Sequence, residues 1–178
     1  AIVTHGGDVL TGGTVFYESQ AGSTLTRIKI PRVAAGASLR VGDDGRARIA
    51  YSTGRRVVYA TLNGDQFTKT VVASSATTDL FPPSLVLGSG DAGYLTWEQQ
   101  RMFGGGCAEP DYVPPPDDGT YFATDESGRW VTQRISRSVD GAALTLDPSS
   151  GRVHVVIIDG GFKHLARRAD GSWSRETI

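Results

Sequence analysis

The sequence is poor in several things at once, and each scarcity removes a class of explanation. It has one cysteine, Cys107, so no internal disulfide framework organises it, and cysteine usage is silent on redox compartment. Its three histidines, His5, His154 and His164, share no metal-ligand spacing, and none stands in a context that would make Cys107 a thiolate nucleophile. No apolar run approaches the roughly 18 to 20 residues of a membrane span. No apolar period of 3.6 lasts three turns, which leaves no long helix to predict. Charge of one sign is missing as well. With 18 basic and 19 acidic residues and a net charge of −1, the chain carries no electrostatic footprint for nucleic acid or an anionic membrane. No cofactor or metal site is written in it.

What the chain does have is turns and short apolar runs. In 178 residues there are 23 glycines and 8 prolines, with 39% hydrophobic residues, enough for one core of ordinary size in an all-β chain. The stretch 119–135, GTYFATDESGRWVTQRI, reads as a hairpin with a tryptophan just past its turn. The same plan returns at 162–178, 57–72 and 15–30. Aligning Ala123, Ala166, Ala60 and Glu18 puts Trp130, Trp173, Phe67 and Leu25 in one column, seven residues further on. Between these hairpins lies a second unit of two apolar runs around a polar turn, at 38–51, 84–97 and 143–157. Two hairpins make one four-stranded repeat. The column spacings, 43 residues from Ala123 to Ala166 and 42 from Glu18 to Ala60, fall in the range of a propeller blade.

At Asp125 and Trp130 the hairpin resembles the Asp-box of the sialidase-like (BNR-repeat) β-propellers, S-x-D-x-G-x-T-W. Ala123 stands where the motif has serine and Gly128 falls one place late, while the other three copies keep only part of it. The resemblance implies an all-β β-propeller of four-stranded antiparallel blades, about four in this chain. They lie at approximately 1–31, 37–73, 83–136 and 142–178, with the first lacking its opening strand. The expectation is therefore a single propeller domain over 1–178 or the C-terminal portion of a larger one, with further blades or a second copy of the chain as partners. The family also implies a secreted or cell-surface protein.

In such a fold the loops joining second to third strands, and blade to blade, form a binding rim. One of these loops, 98–118, is far longer than its counterparts and holds Glu98, Arg101, Cys107, Asp111 and Tyr112. With Arg55 from a neighbouring loop and Trp97 just before it, these residues have the polar and aromatic character of a sugar or peptide site. Trp97 is read either as a stacking platform or as core between blades. A sialidase needs an arginine cluster, an acid/base carboxylate and an activated tyrosine. Arg55, Arg56, Arg101 and Tyr112 have that chemistry but lie in no motif that assigns them a catalytic role. The sequence reading is a non-catalytic recognition module for a glycan or protein, with a fragment of a sialidase-like glycoside hydrolase as the alternative.

Overall fold

The computed structural model describes residues 2–6, 13–21, 24–101 and 116–178. These residues form four antiparallel sheets, each drawn from one continuous part of the sequence. Ile2–Gly6 (β1), Gly13–Ala21 (β2) and Thr24–Val33 (β3) make the first, in the order β1-β2-β3. Ala35–Val41 (β4), Ala47–Ser52 (β5), Arg56–Asn63 (β6) and Gln66–Ser74 (β7) make the second in chain order. In the third, Asp79–Leu80 (β8) and Ser84–Leu87 (β9) pair with opposite ends of Gly93–Gln100 (β10), which continues to Gly119–Thr124 (β11) and Val131–Ser136 (β12). Ala142–Leu146 (β13), Val153–Ile158 (β14), Phe162–Arg167 (β15) and Trp173–Thr177 (β16) complete the fourth. The all-β expectation holds, and the described residues contain no α-helix.

Strand alternation explains why the sheets stack face to face. Side chains along a strand point to opposite faces, so a strand buried on both sides must be apolar at nearly every position. The strand β5 reads ARIAYS and is buried throughout. Its Ala47, Ile49 and Tyr51 pack with Tyr17, Ile30 and Val33 of the first sheet, while Ala50 packs with Leu85, Leu95 and Trp97 of the third. On the far side of the third sheet, Tyr94 and Phe122 meet Val153, Val155, Ile157 and Leu165 of the fourth. Three apolar layers thus join four sheets in sequence order. The leading strands β4, β9 and β13 lie side by side along this row. Among the described residues no core cluster joins the fourth sheet to the first.

A ring-on-ring contact recurs in every layer. Tyr17 meets Phe67 edge-on at 5.6 Å between centroids, Tyr59 meets Trp130 at 4.9 Å, and Phe122 meets Trp173 at 5.0 Å. In each case the hairpin aromatic of one sheet lands on a ring of the sheet before it, a geometry that adds about 0.5–1.5 kcal/mol to simple burial. The hairpin column of the sequence therefore has a physical cause.

Its register needs one correction. Strand pairing sets Ala60 opposite Ile49 and Ala123 opposite Leu95, but in the fourth sheet Leu165, not Ala166, holds that place, opposite Val155. Between equivalent paired positions the last hairpin holds one more residue than the third, seven between Ala166 and Ser174 against six between Thr124 and Val131. A sequence alignment anchored on tryptophan absorbs that extra residue as a one-place slip, and in a strand one place is the opposite face.

Candidate functional site

The connections between second and third strands, and from sheet to sheet, are knit together across sheet boundaries. The Ser52 hydroxyl donates to the Leu80 carbonyl and accepts from the Gly54 N–H at 2.8 Å, and the Leu80 N–H donates to the Gly54 carbonyl at 2.7 Å. Phe81 N–H donates to the Glu98 carbonyl at 2.9 Å. Further along, the Thr120 hydroxyl donates to the Ser138 carbonyl at 2.8 Å, and the Ser138 hydroxyl reaches the Ile158 carbonyl. Side-chain hydroxyls thus satisfy carbonyls that a connection would otherwise leave open to water. This knitting places Arg55, Glu98 and Arg101 on one end of the row.

Glu98 lies near the end of the β10 strand on the face that Tyr94 and Thr96 share, at the boundary with the fourth sheet. Burial pushes its carboxyl up, the charge of Asp140 pushes the same way, and the Ala142 N–H holds it back. Asp140 is a site residue that sequence reasoning missed. Its context, Ser136-Arg137-Ser138-Val139-Asp140, looks like any polar connection, and only the fold carries it toward Glu98. Arg55 is half exposed and pairs with Asp79 at 3.5 Å. Arg55 and Glu98 flank the same short bridge, Leu80-Phe81.

The described ends of the long loop are anchored by Asp118, a buried carboxylate that accepts from the Arg101 N–H at 3.0 Å. The return into β11 runs through Gly119 at φ 149°, where a Cβ would stand 2.3 Å from the Ser136 carbonyl oxygen, so no larger residue fits. Arg101 is exposed. Asp111 and Tyr112, together with Cys107, lie outside the described residues.

Trp97 is 2% exposed, packed between the second and third sheets with Tyr121 stacked on its ring at 5.7 Å. That is the core placement, with one face already covered. Its Nε1 is buried without a hydrogen-bond partner among the described residues. Trp97 and Tyr121 nonetheless border a cleft of about 470 Å³, shared with Ser75, Thr77, Gln99 and Asp117. Tyr121 is only partly buried, and its hydroxyl donates to the Asp117 carbonyl at 2.9 Å. Of the two readings of Trp97, core between sheets is the one the structure shows. Trp97 faces Tyr121 across paired strands, and the partner, not the tryptophan, meets solvent. A partly exposed ring beside hydroxyls, an amide and a carboxylate is a surface suited to a polyhydroxylated ligand.

Among the described residues no group of three or more His, Cys, Asp or Glu side chains is arranged to hold a metal ion, and no helix is long and apolar enough to cross a membrane. No protein-family model matches the chain, and no curated protein matches it.

Proposed function

We propose that this chain is a β-propeller recognition module of the sialidase-like kind that binds a glycan through the connection end of its sheets, in the cleft lined by Gln99, Asp117 and Tyr121. The observation that carries the ligand class is the cleft itself, where Tyr121, Gln99, Asp117 and four serine and threonine residues line about 470 Å³. The successive antiparallel sheets of three to five strands, the side-by-side leading strands and the recurring hairpin ring contact support the propeller reading. Sugar rings stack on aromatic faces while their hydroxyls exchange hydrogen bonds with planar side chains, and both partners stand here.

A glycan microarray followed by titration of the retained glycan tests this. Tyr121→Ala and Gln99→Ala are expected to weaken binding about tenfold or more, which corresponds to about 1.4 kcal/mol. Unchanged affinity in both variants removes the cleft. Retention of no glycan, with a peptide or protein retained instead, replaces the ligand class.

A second reading has its own observation. Glu98, whose carboxyl is raised by burial and by the charge of Asp140, has the character of an acid/base carboxylate, one of the groups a sialidase-like site requires. In that reading the chain supplies part of a sialidase-like active site. Turnover of a fluorogenic sialoside that Glu98→Gln abolishes would establish it; absence of turnover by the wild-type chain leaves the binding module.

A further inference from the structure

At the end of the sheets opposite the connections, the boundary between the third and fourth sheets holds a cavity of about 510 Å³. Three hairpin turns build it, 125–130 between β11 and β12, 147–152 between β13 and β14, and 168–172 between β15 and β16. Its lining includes three arginines, Arg152, Arg167 and Arg168, and one acid, Glu126. Arg167 is the cross-strand partner of Trp173, so the two share a face, the one turned to the third sheet. There Trp173 meets Phe122 edge-on and the Arg167 guanidinium lies over the same ring at 5.6 Å.

This wall holds more donors than the protein supplies acceptors. Arg167 Nη1 donates to Glu126 Oε2 at 2.7 Å, while Glu126 Oε1 is taken by the Tyr94 hydroxyl, also at 2.7 Å. Arg167 Nε and Trp173 Nε1 are buried with no hydrogen-bond partner among the described residues. The exposed Arg152 donates its Nε to the Arg167 carbonyl at 3.1 Å, which brings its guanidinium beside the joint, and Arg168 donates to the Ser172 hydroxyl at 3.3 Å. The remaining acids of these turns are engaged close by. Asp125 accepts from the Gly93 N–H, Asp147 from Ser149 and Ser150, and Asp170 from Ser172, within the field of Arg168.

The boundary before this one is balanced differently. There a single guanidinium, Arg48, has two carboxylates, Asp44 and Asp91. Here three arginines against one glutamate leave two positive charges over in the lining. Surplus charge and surplus donors on separate turns call for a group that only accepts and has oxygens on more than one side. A carboxylate presents two oxygens in one plane. A phosphate or sulfate group presents them all round, and guanidinium forks grip such a group two bonds at a time. We propose that this cavity binds a phosphate or sulfate group, free or as a monoester, between Arg152, Arg167 and Arg168. The anion then closes the joint of the third and fourth sheets as Asp44 and Asp91 close the one before it. The site lies at the opposite end of the sheets from the glycan cleft and is independent of what that cleft binds.

Titration of the intact chain with low-millimolar sodium phosphate at constant ionic strength tests this, since the general stabilisation by excluded salts belongs to far higher concentrations. The melting temperature is expected to climb as phosphate passes its Kd. In isotope-labelled protein the Trp173 Nε1–H resonance is expected to shift, while those of Trp97 and Trp130, which pack toward the second sheet, stay in place. Arg152→Gln and Arg168→Gln change exposed turn positions, so a folded chain is expected in either. Each is expected to weaken phosphate binding about tenfold, the loss of one charge-assisted contact. Methyl phosphate in parallel separates the sources: a Trp173 shift with phosphate alone means a free ion, with methyl phosphate alone an esterified group, and with both a pocket open to either, and each keeps the site. No shift with either probe overturns it. So does a rise in melting temperature that survives the combined Arg152→Gln and Arg168→Gln variant, which would be a general salt effect, and so does a shift at Trp97 with none at Trp173, which would put the anion elsewhere.

Discussion

The two ends of the sheet row solve the same problem by different chemistry. At the hairpin-turn end, sheets are joined by charge. Arg48, 8% exposed in its side chain, donates to both oxygens of Asp44 at 2.8 and 3.0 Å and to Asp91 at 2.8 Å, tying a turn of the second sheet to one of the third. Asp91 is held at φ 64° for this, and its other oxygen accepts from the Asp43 N–H at 2.7 Å. One boundary along, Glu126 accepts from the Tyr94 hydroxyl and from Arg167, both at 2.7 Å, tying the third sheet to the fourth. At the connection end many cross-sheet bonds run from serine and threonine hydroxyls and backbone N–H groups to carbonyls, and the charged groups that take part do so through single contacts, Glu98 with the Ala142 N–H and Arg55 with Asp79. A guanidinium already gripped by two carboxylates has no capacity for a ligand; one left half exposed does. On the proposed function, structure is held at one end and recognition at the other.

The largest expected effect comes from the apolar layer common to both ends. Phe122 is 1% exposed, carries Trp173 edge-on and lies 5.6 Å beneath the Arg167 guanidinium. Phe122→Ala is expected to cost about 3–5 kcal/mol in urea denaturation. A loss below about 1 kcal/mol would mean that the third and fourth sheets are not packed through this ring.

Next comes the charged joint. Arg48→Met removes the cation between Asp44 and Asp91 and is expected to cost about 2–3 kcal/mol, short of a fully buried pair because Asp44 remains in reach of water. The side-chain hydrogen bond from Arg48 holds Asp44 down to about 2 from its ordinary value, with the Arg46 N–H helping. A lowered carboxylate stabilises the fold fully above its ordinary value and loses that contribution as pH falls toward about 2. The acid limb of the stability curve is therefore expected to flatten in Arg48→Met. An unaltered limb would detach the joint from stability.

At the connection end the sign reverses. Burial raises the Glu98 carboxyl, with Asp140 adding to it, so its charged form costs stability. That cost is absent below about pH 4, where the unfolded carboxyl is also protonated, and grows as pH climbs through the folded value. Glu98→Gln is expected to melt higher than wild type at pH 7 and at the same temperature near pH 3. A lower melt at pH 7 would make Glu98 a structural group and weaken the division between the ends.

Much of the stacking was legible because it is written locally. Short alternating runs, turn residues at fixed offsets and an aromatic after each hairpin are properties of neighbours in sequence. The ring that each hairpin aromatic lands on, one sheet earlier, is some 50 to 70 residues away, as Tyr17 is from Phe67 or Tyr59 from Trp130. No local pattern joins them. The site was less legible for the same reason. Glu98 and Arg55 stood out by loop length and residue type, but Asp140, Asp79 and the carbonyl-capping serines gain meaning only from a neighbouring sheet. That Tyr121 and not Trp97 meets solvent at the cleft follows from strand pairing, which sets one against the other, and from burial, which a residue's hydrophobicity does not report.

The smallest expected effect is the one that bears most directly on the division between the ends. Arg55 and Asp79 form an ion pair at 3.5 Å with side chains 53% and 34% exposed. Exposed pairs of this kind contribute about 0–1 kcal/mol, since water competes for both groups and two long side chains lose freedom in meeting. Arg55→Ala is therefore expected to change unfolding free energy by less than about 0.5 kcal/mol, while lowering affinity for whatever the connection end retains if the guanidinium reaches it. The backbone of the same loop argues for the small number: Gly54 and Arg55 are fixed by bonds from Leu80 and Ser75 to their carbonyls, which the substitution leaves in place. A loss above about 1 kcal/mol would show that charge holds this end together too, and the two ends would then differ in degree and not in kind.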